Sequence, residues 1–144
     1  MAKTYQVNPR VRMINRLMTR MIRWNIAPKQ MFLLTVNGRK SGTPYSLPVS
    51  IVERDGTRWL VSPYGESNWV QNARAVGEVK LSRGGATKAF KIQELGSKES
   101  APILKQYIQL EGIVQPYFDA QPDAPLEAFE AEASWHPVFL LEAL

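Results

Sequence analysis

The run Leu33-Leu34-Thr35-Val36-Asn37-Gly38-Arg39-Lys40-Ser41-Gly42-Thr43-Pro44-Tyr45 joins an apolar β-forming segment to a second extended one across a polar turn bracketed by glycines. Two antiparallel strands linked by a short loop follow from this pattern. Arg39 and Lys40 stand side by side at the tip and repel each other unless an anion or solvent screens them. Gly38 and Gly42 let the backbone curl and aim amide N–H groups at one point, as phosphate-binding nests do. Ser41 adds a neutral donor. Two readings fit the residues alone: an anion site, or a solvated basic hairpin tip.

The charge around this turn is uneven. Residues 1–40 hold nine Lys/Arg (Lys3, Arg10, Arg12, Arg16, Arg20, Arg23, Lys29, Arg39, Lys40) and no acid, whereas the remainder holds nine bases against all 13 acids. The net charge of +5 therefore comes from the front of the chain. An anionic partner is expected there: a phosphorylated cofactor, an acidic membrane or a nucleic acid. The 144 residues suffice for one domain with a core, and their 44% hydrophobic and 22% charged content is that of a globular protein. Cysteine is absent, which removes disulfides, thiolate metal sites and cysteine nucleophiles and suits a reducing cytoplasm. No apolar run approaches a membrane span, and no signal-peptide pattern opens the chain.

Upstream of the turn, residues 9–24 read as a helix with Asn8 as N-cap and Pro9 at its first position. Val11, Ile14, Leu17, Met18, Met21 and Ile22 recur at helical spacing, opposite Arg12, Arg16, Arg20 and Arg23. Such a helix either packs its stripe on the domain, or lies on an acidic lipid surface or lines the mouth of an apolar substrate site. Downstream, strands are expected at Met31–Val36, Pro44–Glu53, Thr57–Ser62, Glu78–Arg83, Ala86–Leu95 and Trp135–Glu142. Asp55-Gly56 and Gly84-Gly85 form hairpin turns. Pro44 and Pro48 place their strand at an edge, a bend or a bulge. Short helices are expected at Trp69–Ala75, at Ser97–Leu110 and at Pro125–Ala133, with Gly112–Pro125 irregular. Strands joined by hairpins, with few crossovers, indicate a mainly β (α+β) antiparallel barrel decorated by helices. Residues 1–28 belong to the same domain as the barrel at 29–144.

Self-sufficient catalytic groups are scarce. His136 is the single histidine and reads as structural within the last strand. No G-x-S-x-G, Walker or dinucleotide fingerprint occurs, and one histidine with scattered acids gives no metal-ligand spacing. The cations sit in one helix and one turn without an RRM, OB or helix-turn-helix signature, so nucleic acid is not expected as a partner. An enzyme so equipped needs a cofactor to carry the chemistry.

Several stretches together resemble the deazaflavin-dependent nitroreductase family, which uses coenzyme F420 on a split, FMN-binding-like β-barrel. They are Leu34-Thr35-Val36-Asn37-Gly38-Arg39-Lys40-Ser41-Gly42-Thr43-Pro44, then Pro48-Val49 and Asp55-Gly56. Leu60-Val61-Ser62-Pro63-Tyr64-Gly65 follows, leading to Asn68-Trp69-Val70-Gln71-Asn72, and His136-Pro137-Val138-Phe139-Leu140-Leu141-Glu142 matches the last strand. The resemblance spans roughly residues 10–142.

The resemblance implies that Arg39, Lys40 and Ser41 hold the coenzyme's phosphate or glutamyl tail. Tyr45 stands where family members often carry another base. Ser62, Pro63, Tyr64 and Gly65 are implied to run beside the deazaflavin ring, with Asn68, Trp69 and Asn72 behind it; Trp69 reads equally as a core aromatic. Hydride transfer to a hydrophobic acceptor such as a quinone, a nitro compound or an unsaturated lipid is implied, with Tyr107, Tyr117 and Tyr64 as candidate proton donors or substrate contacts. An apolar-ligand carrier without redox activity and an FMN-dependent reductase remain open on the same barrel. The expected setting is the cytoplasm, with peripheral contact to the membrane's inner face through residues 9–24, and a homodimer is left open.

Overall fold

The computed structural model describes residues 8–144; Lys3 and the rest of residues 1–7 lie outside the described residues. Helix α1 (Pro9–Arg23) begins as expected, with the Asn8 side chain accepting the Val11 N–H at 3.0 Å and Pro9 in the first turn. Six strands follow: β1 (Met31–Asn37), β2 (Pro44–Arg54), β3 (Thr57–Val61), β4 (Glu78–Arg83), β5 (Ala86–Glu94) and β6 (Val138–Ala143). All pair antiparallel and close into a barrel in the order β1-β2-β3-β6-β5-β4. Between them lie α2 (Asn68–Val76), α3 (Ser97–Leu110) and α4 (Leu126–Glu132), with 3₁₀ segments at Gly112–Tyr117 and Ala133–Trp135.

Strand β2 passes from one pairing partner to another along its length. Pro44 to Ser50 pair with β1, whereas only Ile51 to Arg54 pair with β3. Pro44 and Pro48 both sit in the stretch paired with β1 alone, so neither faces a second pairing strand.

Leu34, Val36, Ile51, Leu60, Val79, Leu81, Phe90 and Phe139 fill the barrel, and Val70 and Ala73 of α2 join them. Gly77 ends α2 in the left-handed region (φ 82°), which glycine adopts without a Cβ clash. A second cluster packs α3, α4 and the Gly112–Tyr117 turn against Val52, Val61 and Val138 through Leu104, Tyr107, Ile108, Phe118 and Phe129. The third is small: Ile22, Ala27 and Leu33, with Met18, Met21 and Met31 alongside.

Three sequence expectations need correction. Gly112–Pro125 is not wholly irregular, because Gly112–Tyr117 winds as a 3₁₀ helix. The last strand begins at Val138 rather than Trp135: residues Ala133–Trp135 form a 3₁₀ turn closed by His136 N–H to the Ala133 carbonyl, and Pro137 has no N–H to extend a ladder. His136 therefore precedes β6 instead of lying within it. Helix α2 starts at Asn68, and its N-cap Ser67 makes no side-chain capping bond.

Candidate coenzyme site

The turn between β1 and β2 is closed by its own backbone. Gly38 N–H donates to the Thr43 carbonyl (2.8 Å), Gly42 N–H to the Gly38 carbonyl (2.9 Å) and Thr43 N–H to Ser41 Oγ (3.2 Å). Gly42 takes φ +72°, and a Cβ on Gly38 would stand 3.0 Å from Ser41 Oγ and 3.2 Å from the Tyr45 ring. The glycines are required, but their amides bond inside the turn. Those two amides are therefore taken up within the turn and do not point outward.

Of the turn's side chains, Arg39 is held by Asn72. Its buried Oδ1 accepts both the Arg39 backbone N–H (3.0 Å) and Arg39 Nη1 (2.7 Å), across 33 residues of sequence. This pair ties the Gly38–Gly42 turn to α2, and so explains why the two motifs occur together. Lys40 and Ser41 are exposed beside it. Among the described residues the ion pairs lie elsewhere, at Arg58–Glu53, at Arg74 with Glu66 and Glu94, and at His136–Glu132. Arg39 and Lys40 are in none of these pairs.

The segment feeding α2 is held as tightly. Buried Ser62 donates from Oγ to the Gly65 carbonyl (2.8 Å), which closes the loop while Gly65 takes φ +83°. Pro63 is buried with its carbonyl on His136 Nδ1 (3.0 Å), leaving Tyr64 half exposed at the loop tip. Arg74 of α2 bonds Glu66 and spans to Glu94 of β5 (2.7 Å). The hydrogen bonds to Glu94 and then Glu66 push its guanidinium above the ordinary range, so it remains charged. Asn68 is exposed at the start of α2. Trp69 instead packs against the barrel core, 6.0 Å from the Phe139 ring.

The three candidate tyrosines converge on one side of the barrel. Tyr64 meets Tyr117 edge to face, with ring centroids 4.9 Å apart at 79°. Tyr107, inside α3, is 4% exposed and sits in the core. Burial raises its phenol well above the usual range, and neighbouring Tyr64 and Glu111 add to this. Tyr107 thus keeps its proton within the core, whereas Tyr64 and Tyr117 reach the surface. Tyr45 lies over Gly38 and shields the turn. Among the described residues no cluster of His, Cys, Asp or Glu could hold a metal ion.

Sequence reasoning missed Glu132 and the role of His136. Glu132 is buried, its carboxylate on His136 Nε2 (2.8 Å) and on the N–H groups of Asp119 and Ala120. The four-residue spacing of Glu132 and His136 was the available signal. Two grooves flank α1 away from the turn. One of about 320 Å³ is lined by Arg16, Arg20, Arg23 and Ser46, and one of about 500 Å³ by Ile22, Leu33, Thr35 and Arg83.

The sequence model of the F420H(2)-dependent quinone reductase family matches residues 6–120. The chain belongs to this family. It is an oxidoreductase whose cofactor is coenzyme F420. Among solved structures, one described as an F420-H2 dependent reductase is similar at 22% identity and TM-score 0.55, covering 79% of this chain and 95% of that one. A structure described as a domain-swapped dimer matches at 18% identity and TM-score 0.57, covering 92% and 99%. A FAD-binding protein of Mesorhizobium loti matches at 13% identity and TM-score 0.52, covering 90% and 88%. These likenesses establish the split-barrel fold. Comparison with the curated proteins finds none that matches.

The residues fit such a coenzyme. It is acidic, and the reductase offers Arg39 and Lys40 without carboxylate partners among the described residues; its ring is planar and aromatic, and Tyr64 and Tyr117 offer an aromatic wall.

Proposed function

We propose that this reductase transfers a hydride from reduced coenzyme F420 to a hydrophobic acceptor, a quinone in the first instance, with the coenzyme's acidic tail on the Gly38–Gly42 turn and its ring beside Ser62–Gly65. The observation that carries the reading is the Asn72–Arg39 pair, which brings the basic turn against the helix entered from that loop. Bound there, the coenzyme supplies the hydride. The chain's residues would do the rest: Arg39, Lys40 and Ser41 would bind the tail, and Pro63 and Gly65 would line the ring. Tyr64 and Tyr117 press on the acceptor side and exclude water, so that distance and orientation are set before reaction. Tyr64, Tyr117 and Tyr107 are the phenols this proposal offers as proton donors to the reduced acceptor.

Where the acceptor is met follows from α1. Met13, Ile14 and Leu17 are 65%, 55% and 60% exposed, and Trp24 and Ile26 just beyond the helix are also bare. Arg10, Arg12, Arg16, Arg20 and Arg23 accompany them with no acid in the helix. Apolar residues left in water beside cations that make no ion pair among the described residues suit an anionic lipid surface, the phase in which a hydrophobic acceptor dissolves. Among the described residues no helix is long and apolar enough to cross a membrane, so the contact would be peripheral.

Fluorescence titration with oxidised coenzyme tests the reading. Binding at tens of micromolar or tighter, about −6 kcal/mol or better, is expected; its absence overturns the assignment. Arg39→Ala and Lys40→Ala should each weaken binding about tenfold, a loss that grows at low salt where charge pairing is least screened. Unchanged affinity would show that the turn is merely solvated.

A further inference from the structure

Glu132 and His136 take no part in the hydride step, yet they join the two segments that flank the site. His136 is 3% exposed and Glu132 7%. Imidazole Nδ1 lies 3.0 Å from the Pro63 carbonyl, which can only accept. Nε2 lies 2.8 Å from Glu132 Oε1. Nδ1 therefore carries a hydrogen in both arrangements open to the pair: an imidazolium facing a carboxylate, or a neutral ring whose Nε2 accepts from a protonated Glu132. On its other side Glu132 accepts the Asp119 N–H through Oε1 (3.1 Å) and the Ala120 N–H through Oε2 (2.8 Å). Phe118 lies flat on the imidazole, with centroids 3.8 Å apart at 13°.

One line of contacts thus runs from the Pro63 carbonyl through the ring and the carboxylate to the backbone at 119–120. Its ends are the segments whose neighbouring tips, Tyr64 and Tyr117, meet edge to face. Burying an ionisable pair adds little to stability compared with apolar packing of equal volume. What this pair adds is direction, since each hydrogen bond fixes an angle that dispersion contacts leave soft.

We propose that His136 and Glu132 are positioning residues: a clamp that sets the Tyr64 loop against the Tyr117 segment and so fixes the height of the aromatic wall over the coenzyme ring. The proposal rests on the coenzyme site placed above. It also singles out the Pro63 bond as the one that matters for binding, because that bond alone ends on the loop beside the ring.

Two substitutions separate the ring's two bonds. Asparagine places its amide nitrogen at the bond count of Nδ1, so His136→Asn keeps a donor for the Pro63 carbonyl and drops the Glu132 contact. Glutamine places it at the bond count of Nε2, so His136→Gln keeps the Glu132 contact and drops Pro63. Coenzyme titration of both is expected to leave His136→Asn within about threefold of the parent Kd and to weaken His136→Gln about tenfold. Equal affinities, or the reverse order, overturn the clamp. Because His136 is the only histidine, nitrogen NMR of the unaltered protein reads the clamp without coenzyme or variants, even where a variant fails to fold. A protonated Nδ1 is expected, and a bare Nδ1 overturns the proposal. If the unaltered protein fails to bind coenzyme while Nδ1 is protonated, the contact stands but the positioning role falls with the site. The reverse pattern, binding with a bare Nδ1, sinks the clamp alone.

Discussion

The amide oxygen of Asn72 receives two hydrogens from Arg39, one from its backbone and one from its guanidinium. Removing that acceptor frees the turn and leaves a partly buried N–H without its partner. Asn72→Ala should cost about 1–3 kcal/mol of stability and weaken coenzyme binding. Asn72→Asp separates the two effects: it keeps the acceptor, so the melting temperature should stay near the parent value. Its added charge would neutralise Arg39, so coenzyme affinity should still fall about tenfold. Equal affinity for coenzyme in Asn72→Asp would mean that Arg39 does not serve the anion. Tyr107 gives a second residue-level expectation. Burial keeps its phenolic proton on in the folded chain at pH values where the unfolded chain, with its ordinary value of 10, has lost it. The unfolded state then binds fewer protons than the native one, so stability is full below pH 10 and declines as pH rises above it. Tyr107→Phe should flatten that decline relative to the parent in urea unfolding at pH 9 and pH 11, and leave the slope below pH 9 unchanged.

At the level of elements, α1 splits into two halves. Ile22 is buried with Ala27 and Leu33, and Met18 and Met21 pack beside them, while Met13, Ile14 and Leu17 face solvent. The sequence offered packing and lipid docking as alternatives, and the helix satisfies the first only with its C-terminal half. Ile14→Glu with Leu17→Glu should abolish co-sedimentation with vesicles containing anionic lipid and leave coenzyme affinity within about twofold, since neither side chain touches the turn. Retained sedimentation would count against docking through this face. The hairpins and α1 were legible because their signals are local: Pro9 after Asn8, Asp55-Gly56, Gly84-Gly85 and alternating apolar residues. Element ends shifted by a residue or two where caps decide them, as at Asn68. The Arg39–Asn72 bond was not legible, because nothing in either motif states that the two touch. His136 was misplaced because Trp-His-Pro-Val-Phe-Leu-Leu reads as one extended run. Only the 3₁₀ turn at Ala133–Trp135 shows that the histidine stands before the strand. The resemblance to F420-dependent enzymes rested on short motifs set apart in sequence, and the structure joins two of them through the Arg39–Asn72 bonds.

For the molecule as a whole, barrel closure depends on a short seam. Strands β1 and β4 pair over only three residues on each side, Leu33–Thr35 with Lys80–Ser82, and the chain leaving α1 passes beside that seam. Arg83 sits there with its guanidinium on Asn25 Oδ1 and on the carbonyls of Ala27, Pro28 and Met31. Gly84 N–H reaches back to the Ile22 carbonyl at 3.1 Å, and a Cβ on Gly84 would stand 3.0 Å from Asn25. One side chain thus gathers the carbonyls that a pivot between helix and barrel would have to release. The helix is therefore less a tether than an outrigger: seated on a lipid surface, it would give the barrel one attitude and one height, and the mouth of the site would open at a constant distance from the headgroups rather than sampling them on a swinging arm.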